Sequence, residues 1–149
     1  MPARLIVGYG NPLRSDDGVG WKAAALLKQE LSSPEVFVMA AQQLTPEMAA
    51  ALARCSEVLF LDAAHGGQAG EIRLEPVRRD PQFQLGDFSH DLTPSALLAL
   101  AYRLFAVEPA ARLLTLSGAD FDLGESFSPP VEQAWGRFLE QARTLVQPA

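Results

Sequence analysis

Apolar runs alternate with helix-like segments over the first 62 residues of the chain. Short continuous apolar runs bounded by polar turns are typical of buried strands, and apolar residues spaced three to four apart are typical of helices. The predicted segments are strand 3–8, helix 17–31, strand 35–40, a helix with Thr45 as N-cap and Pro46 at its first position, and strand 57–62. This alternation predicts a parallel β-α-β-α-β unit with right-handed crossovers.

The pattern changes after Asp62. A glycine-rich loop, residues 63–70, is too short to hold a crossover helix, so the next strand, 71–77, is expected to run antiparallel to a neighbour. The later predicted segments are a polar loop at 78–88, a helix at 95–106 announced by Thr93 and Pro94, a strand at 112–117, an acidic loop at 118–128, and a helix from Pro129 and Pro130 to about 146. These segments predict an α/β fold with a five-stranded, mostly parallel sheet and one antiparallel strand.

Length and composition fit one domain covering residues 1–149. The net charge is −6, with 12 Lys and Arg against 18 Asp and Glu, which argues against a nucleic-acid partner because phosphate binding needs a basic face. The single cysteine, Cys55, follows an apolar helix and is expected to be a small buried residue. With no apparent signal peptide and no apolar run near 18 residues, we expect a cytoplasmic monomer with no membrane partner.

The first strand leads into a glycine-rich turn with the sequence Gly8-Tyr9-Gly10-Asn11-Pro12-Leu13-Arg14-Ser15-Asp16-Asp17-Gly18-Val19-Gly20. It begins like a dinucleotide fingerprint, but Leu13 stands where the third glycine is required. Two carboxylates would also repel a phosphate by roughly 1 kcal/mol each. Carboxylates on a glycine-rich turn suit a cation instead. One aspartate would suffice to cap the following helix, so the second aspartate suggests a functional role.

Three polar groups follow segments that should end at one edge of the sheet. They are Asp17 (or Asp16), Asp62 and His90, and two carboxylates with an imidazole are a ligand set for a divalent transition metal. Their spacing alone is also compatible with helix caps, turn formers and a solvated histidine. The second histidine, His65, lies in the 63–70 loop and is interpreted as a mobile residue at the rim rather than a ligand.

The turn motif, the aspartate ending strand 3 and Ser89-His90 before a helix together resemble the hydrogenase maturation proteases. The likeness runs the full length of the chain and includes residues 43–47 and 121–125, which are similar to the branch that serves soluble, cofactor-reducing hydrogenases. The resemblance implies a three-layer α/β/α sandwich. It also implies a peptidase that removes the C-terminal extension of the large subunit of nickel–iron hydrogenases after nickel insertion.

Carried over by residue, the resemblance places the family's ligands on Asp17, Asp62 and His90. Many members have glutamate at the first position, and the shorter aspartate would bring the metal closer to the turn. The implied mechanism is aspartic-type and nickel-dependent: these side chains recognise nickel already bound in the precursor, which polarises the scissile carbonyl and activates water. The substrate would thus supply the nickel, and no organic cofactor is expected. No serine or cysteine has an evident partner base.

Further expectations concern substrate contacts and other functions. Gln42, Gln43 and Thr45 are expected to line the crevice for the substrate segment. A non-catalytic nickel-sensing chaperone would use the same ligands, and a nucleotide-binding module is a third class. Peptidyl-tRNA hydrolases have a similar opening at residues 5–12, but they need a histidine where this chain has Gly18-Val19-Gly20, and a basic RNA-binding face.

Overall fold

A computed structural model describes residues 3–31, 33–86 and 92–147. Strands and helices alternate up to the third strand as the sequence predicts, the fourth strand follows without a helix, and a helix separates the final two strands. In chain order they are β1 (Ala3–Tyr9), a 3₁₀ turn (Ser15–Gly18), α1 (Val19–Glu30), β2 (Val36–Ala41), α2 (Met48–Leu52), β3 (Cys55–Ala64), β4 (Ile72–Val77), α3 (Pro94–Phe105), β5 (Ala110–Ser117) and α4 (Pro129–Val146).

The five strands form one sheet in the order β2-β1-β3-β5-β4. The β1–β2, β1–β3 and β3–β5 pairs are parallel, whereas β4 pairs antiparallel with β5. The predicted α/β class, with a mostly parallel sheet and one antiparallel strand, is therefore confirmed. The expectation for β4 also holds, because a short loop after β3 leaves no room for the helix that a parallel crossover requires.

Helices cover both faces of the sheet. Side chains alternate in direction along a strand, so Leu5 and Val7 of β1 enter one core and Ile6 enters the other. The first core is completed by α2 and α3, through residues such as Leu52 and Leu97. The second core is completed by α1 and α4. The three-layer α/β/α arrangement that the resemblance implied is the observed one.

Several predicted boundaries differ from the structure by one or two residues, and three of them lie beside predicted site residues. Helix α1 begins at Val19 rather than at residue 17, because the preceding residues form a 3₁₀ turn whose Ser15 and Asp16 N–H groups donate to the carbonyls of Gly124 and Asp120. Helix α2 begins at Met48 rather than at Pro46.

The third wrong boundary concerns strand β3. It extends to Ala64 because β5 pairs with it as far as Ser117, so Asp62 lies within the strand instead of closing it. Cys55 is buried as predicted, although it opens β3 instead of ending a helix. In the three described ranges, no helix has the length and apolar character needed to cross a bilayer.

Candidate functional site

The glycine-rich turn lets helix α1 pack closely on the sheet. A Cβ on Gly8 would lie 2.0 Å from the Gly20 carbonyl oxygen, and a Cβ on Gly20 would lie 2.2 Å from the Leu61 carbonyl oxygen. Real side chains do not tolerate such contacts with backbone, so both positions require glycine. The two glycines therefore bring the start of α1 against β1 and β3, which carry the neighbouring polar groups.

Asp16 is fully buried and its carboxylate contacts the 118–128 loop. Its Oδ2 accepts hydrogen bonds from the N–H groups of Ala119 and Asp120 and from the Ser128 hydroxyl, at 2.8, 3.0 and 2.6 Å. Its Oδ1 accepts the Ser128 N–H at 2.8 Å. Burial alone would raise the pKa of Asp16, but these hydrogen bonds outweigh it and hold the pKa below its usual value. Asp16 thus binds the 118–128 loop to the glycine-rich turn.

Asp17 has different partners from Asp16, as expected for adjacent residues whose side chains diverge. Its Oδ2 accepts the Asn11 N–H at 2.8 Å, and its Oδ1 lies 3.4 Å from Nε2 of His65. The side chain retains 26% of its solvent exposure and lines a cleft at the carboxyl ends of the parallel strands. Because only part of its hydrogen-bonding capacity is used inside the protein, Asp17 can accept further donors or a cation.

Asp62 lines the same cleft from β3. Its Oδ1 accepts the Ala63 N–H at 2.8 Å, and its carboxylate also accepts a hydrogen bond from the Tyr9 hydroxyl. Burial raises the pKa of Asp62 to about 7; the two hydrogen bonds oppose this rise, and the negative charge of Asp17 adds to it. Burial, and then the nearby Asp62 charge, also raise the pKa of the Tyr9 hydroxyl. Near neutral pH, Asp62 therefore exchanges a proton readily.

The cleft around these two carboxylates has a volume of about 480 Å³. It is lined by Tyr9, Gly10, Asp17, Gln42, Gln43, Leu44, Asp62, His65, Leu92, Thr93, Pro94 and Leu113. Gln42 and Gln43 thus line it, and Thr45, proposed with them, does not belong to this set. The cleft combines two carboxylates with amide groups and an apolar floor, which suits a peptide carrying a polar or metal-bound group.

A second cleft of about 490 Å³ adjoins the first at Pro94 and Leu113. Its side chains include Arg79, whose guanidinium lies 3.2 Å from Glu108 and 3.5 Å from the centre of the Tyr102 ring. That guanidinium is occupied by these contacts. The cleft that contains Asp17 and Asp62 brings two carboxylates together, and the pKa of Asp62 is raised, so we place the candidate site there.

His65 and Phe121 are the residues that the sequence did not assign to the site. The His65 ring stacks on the Phe121 ring with centroids 3.8 Å apart and an interplanar angle of 16°. His65 had been interpreted as a rim residue, and its side chain is 63% exposed, but it contacts Asp17 directly. The signal that could have found it is its position three residues after Asp62, at the carboxyl end of β3.

The structure brings Asp17 and Asp62 together, whereas His90 lies outside the described residues. Over the ranges 3–31, 33–86 and 92–147, no three His, Cys, Asp or Glu side chains are arranged to hold a metal ion. The predicted three-ligand set therefore stays a prediction. The description resumes at Leu92, which lines the cleft.

No protein-family model matches the sequence, and no curated protein matches it either. Solved structures do match. The [NiFe] hydrogenase maturation protease HycI from Thermococcus kodakarensis superposes with a TM-score of 0.75 at 23% identity, over 98% of this chain and 93% of that one. The hydrogenase maturating endopeptidase HybD from E. coli gives a TM-score of 0.75 at 19% identity, over 96% and 91% of the two chains.

A third match is the hydrogenase 2 maturation peptidase from a Thaumarchaeota archaeon, with a TM-score of 0.70 at 22% identity, over 96% of this chain and 97% of that one. Identities in this range establish a shared fold over nearly the whole length. The resemblance read from the motifs is thus confirmed for the architecture, and the activity has to be argued from the site itself.

Proposed function

We propose that this protein is an endopeptidase that removes the C-terminal extension of a nickel–iron hydrogenase large-subunit precursor after nickel insertion. The observation that carries the proposal is the convergence of Asp17 and Asp62 on one cleft, in a fold shared with three hydrogenase maturation peptidases. The two carboxylates come from different segments of the chain, yet both face a space large enough for a peptide. Such a pair suits the chemistry of peptide hydrolysis.

In this proposal, nickel is part of the substrate. Asp17 and Asp62 contact the nickel of the precursor, and His90 joins them as the resemblance implies. A metal ion at the scissile bond polarises the carbonyl and lowers the pKa of an attacking water. No organic cofactor takes part. Cleavage then depends on nickel insertion, and the free protein is expected to hold little nickel or zinc in equilibrium dialysis.

Asp62 releases its proton when it binds the nickel of the precursor. In the metal-free cleft, burial raises the pKa of Asp62 to about 7. A cation beside the carboxylate favours its ionised form, so nickel binding releases a proton to the solvent near neutral pH. The Tyr9 hydroxyl, which donates to this carboxylate, helps to hold it in place.

The test is a processing assay on the large-subunit precursor of a nickel–iron hydrogenase from the same organism, loaded with nickel or metal-free. We expect the intact mass of the loaded precursor to fall by the mass of the C-terminal peptide, and the metal-free precursor to stay uncut. Asp17→Asn, Asp62→Asn and His90→Ala should each lower the processing rate at least about 100-fold, or about 2.7 kcal/mol of transition-state stabilisation. Glu132→Gln, an exposed carboxylate on α4, is the matched control.

Each alternative gives a different result in this assay. Unchanged mass together with formation of a stable complex would replace the peptidase with a nickel-sensing chaperone. Normal processing by both the Asp17 and Asp62 variants would remove these residues from the site. A melting temperature within a few degrees of the wild type is required of each variant, so that a loss of rate is not a loss of folding.

A further inference from the structure

We propose that His65, stacked on Phe121, is a positioning residue that fixes the orientation of the Asp17 carboxylate in the cleft. This inference rests on the proposed function, since it assigns a role within that site. The imidazole Nε2 lies 3.4 Å from Asp17 Oδ1, and the ring stacks on Phe121 with centroids 3.8 Å apart. Both His65 and Asp17 line the carboxylate cleft.

The two oxygens of Asp17 are held by different means. Oδ2 accepts the Asn11 N–H at 2.8 Å, so it is fixed by the backbone of the glycine-rich turn. Oδ1 lies next to the imidazole of His65. An aspartate held through one oxygen can still rotate about its Cβ–Cγ bond, and that torsion is broad. A neighbour at the second oxygen restricts this rotation and sets the plane of the carboxylate.

His65 needs a partner of its own to serve this purpose, because its side chain is 63% exposed. An exposed side chain ordinarily samples several rotamers, and ordering it costs conformational entropy. The nearly parallel contact with Phe121, at an interplanar angle of 16°, offsets this cost and directs Nε2 toward Asp17.

Phe121 is in turn held by a firmly attached loop. The 118–128 loop is bound by the buried Asp16 carboxylate and by the Ser15 hydroxyl, which donates to the Asp122 carbonyl at 2.8 Å. The Lys22 ammonium adds a hydrogen bond to the Glu125 carbonyl at 2.6 Å. A continuous set of contacts therefore runs from Asp16 through this loop to Phe121, His65 and Asp17.

The first experiment compares His65→Ala, His65→Gln and the control Gln68→Ala in the precursor assay. Gln68 is an exposed residue of the same loop that does not line the carboxylate cleft. We expect His65→Ala to lower kcat about tenfold with KM within about threefold of the wild type, since a misplaced reacting group slows the chemical step. His65→Gln should recover part of the rate because its amide can donate to Oδ1. The melting temperature should not change in any of the three.

The second experiment changes the stacking partner. Phe121→Ala should lower kcat about threefold, and Phe121→Tyr, which keeps the ring, should restore it. Leu123→Ala, a more exposed apolar residue of the same loop, is the matched control and should leave kcat unchanged.

A third measurement does not depend on activity. In protein labelled with ¹³C at aspartate carboxyl groups, the Asp17 signal should shift or broaden in His65→Ala and stay unchanged in Gln68→Ala. An unaltered Asp17 signal, or a His65→Ala enzyme with wild-type kcat, would overturn the inference. If wild-type protein fails to cleave any loaded precursor, the proposed function fails, and the carboxyl signal still decides whether His65 orders Asp17.

Discussion

Asp16 and Asp17 are adjacent in the chain and occupy opposite kinds of environment. Asp16 is fully buried, and its two oxygens accept four hydrogen bonds from the 118–128 loop. Asp17 is 26% exposed, accepts one backbone N–H and faces the cleft beside Asp62. The same type of side chain therefore stabilises the fold at position 16 and is free to accept further hydrogen bonds at position 17.

The buried Asp16 and the cleft residue Asp62 differ in how many hydrogen-bond donors the protein supplies to the carboxylate. Four donors stabilise the ionised form of Asp16, and its pKa falls. Asp62 has two donors and a buried setting near another negative charge, and its pKa rises to about 7. A carboxylate that accepts all its hydrogen bonds from the protein is structural. One that can still accept further hydrogen bonds is available to a substrate.

The largest effect should follow from removing the satisfied carboxylate. Asp16→Ala would leave the N–H groups of Ala119, Asp120 and Ser128 without their buried acceptor. We expect the free energy of unfolding to fall by about 4 kcal/mol, because each unpaired buried donor costs about 1–3 kcal/mol and some regain water. Urea unfolding followed by circular dichroism measures it.

Ser128→Ala is the matched control for this prediction, since it removes one of the four hydrogen bonds and keeps the carboxylate. It should cost about 1 kcal/mol. If Asp16→Ala were no less stable than Ser128→Ala, the 118–128 loop would not depend on this carboxylate. Asp16 would then have no structural role to contrast with Asp17.

The next effect concerns the close contact that brings the two carboxylates to one cleft. In Gly20→Ala, the new Cβ would lie 2.2 Å from the Leu61 carbonyl oxygen and 2.5 Å from that of Tyr9. Helix α1 must then move away from β1 and β3, and we expect stability to fall by about 3 kcal/mol. Differential scanning calorimetry gives the change.

Gly136→Ala, in helix α4, makes the opposite prediction. A Cβ there meets nothing within 4 Å, so alanine should stabilise the protein by about 0.5–1 kcal/mol through its helix propensity. Equal effects of the two substitutions, in sign and size, would mean that the glycine-rich turn tolerates a side chain.

The sequence predicted the fold well because the fold follows from local patterns. Apolar runs and helix-start residues located all five strands and all four helices, and the short loop after β3 required an antiparallel β4. The boundary errors arose where distant segments decide the matter. Helix α1 starts late because the 118–128 loop binds the residues before it, and β3 runs past Asp62 because β5 pairs with it to Ser117.

The site was predicted only in part for the same reason. The rule that parallel strands deliver their carboxyl ends to one edge predicts Asp62 and one of the two aspartates at 16 and 17, and the family resemblance selects Asp17. The separate roles of Asp16 and Asp17 depend on a loop that lies 103 residues further along the chain, and the stacking of His65 on Phe121 depends on the same loop. Long-range contacts of single side chains leave no periodic pattern in a sequence.

The smallest predicted effect is a pH-dependent change in stability that comes from Asp62. An acid whose pKa rises on folding destabilises the protein when it is ionised. For Asp62 this cost is absent below about pH 4, grows as the pH rises, and is complete above about pH 7. Asp16, with a lowered pKa, has the opposite sign and loses its contribution in acid.

Asp62→Asn should therefore stabilise the metal-free protein by about 2 kcal/mol at pH 8, after allowing for partial solvent exposure, and by little at pH 4. Urea unfolding in the presence of a chelator at both pH values tests this, with Glu132→Gln as the control that should show no such gain. If Asp62→Asn stabilised the protein equally at both pH values, the difference in stability from the wild type would come from packing and not from a buried charge. A gain confined to high pH, in the same substitution that stops processing, would show that the cleft keeps an unfavourable charge which the fold itself does not need.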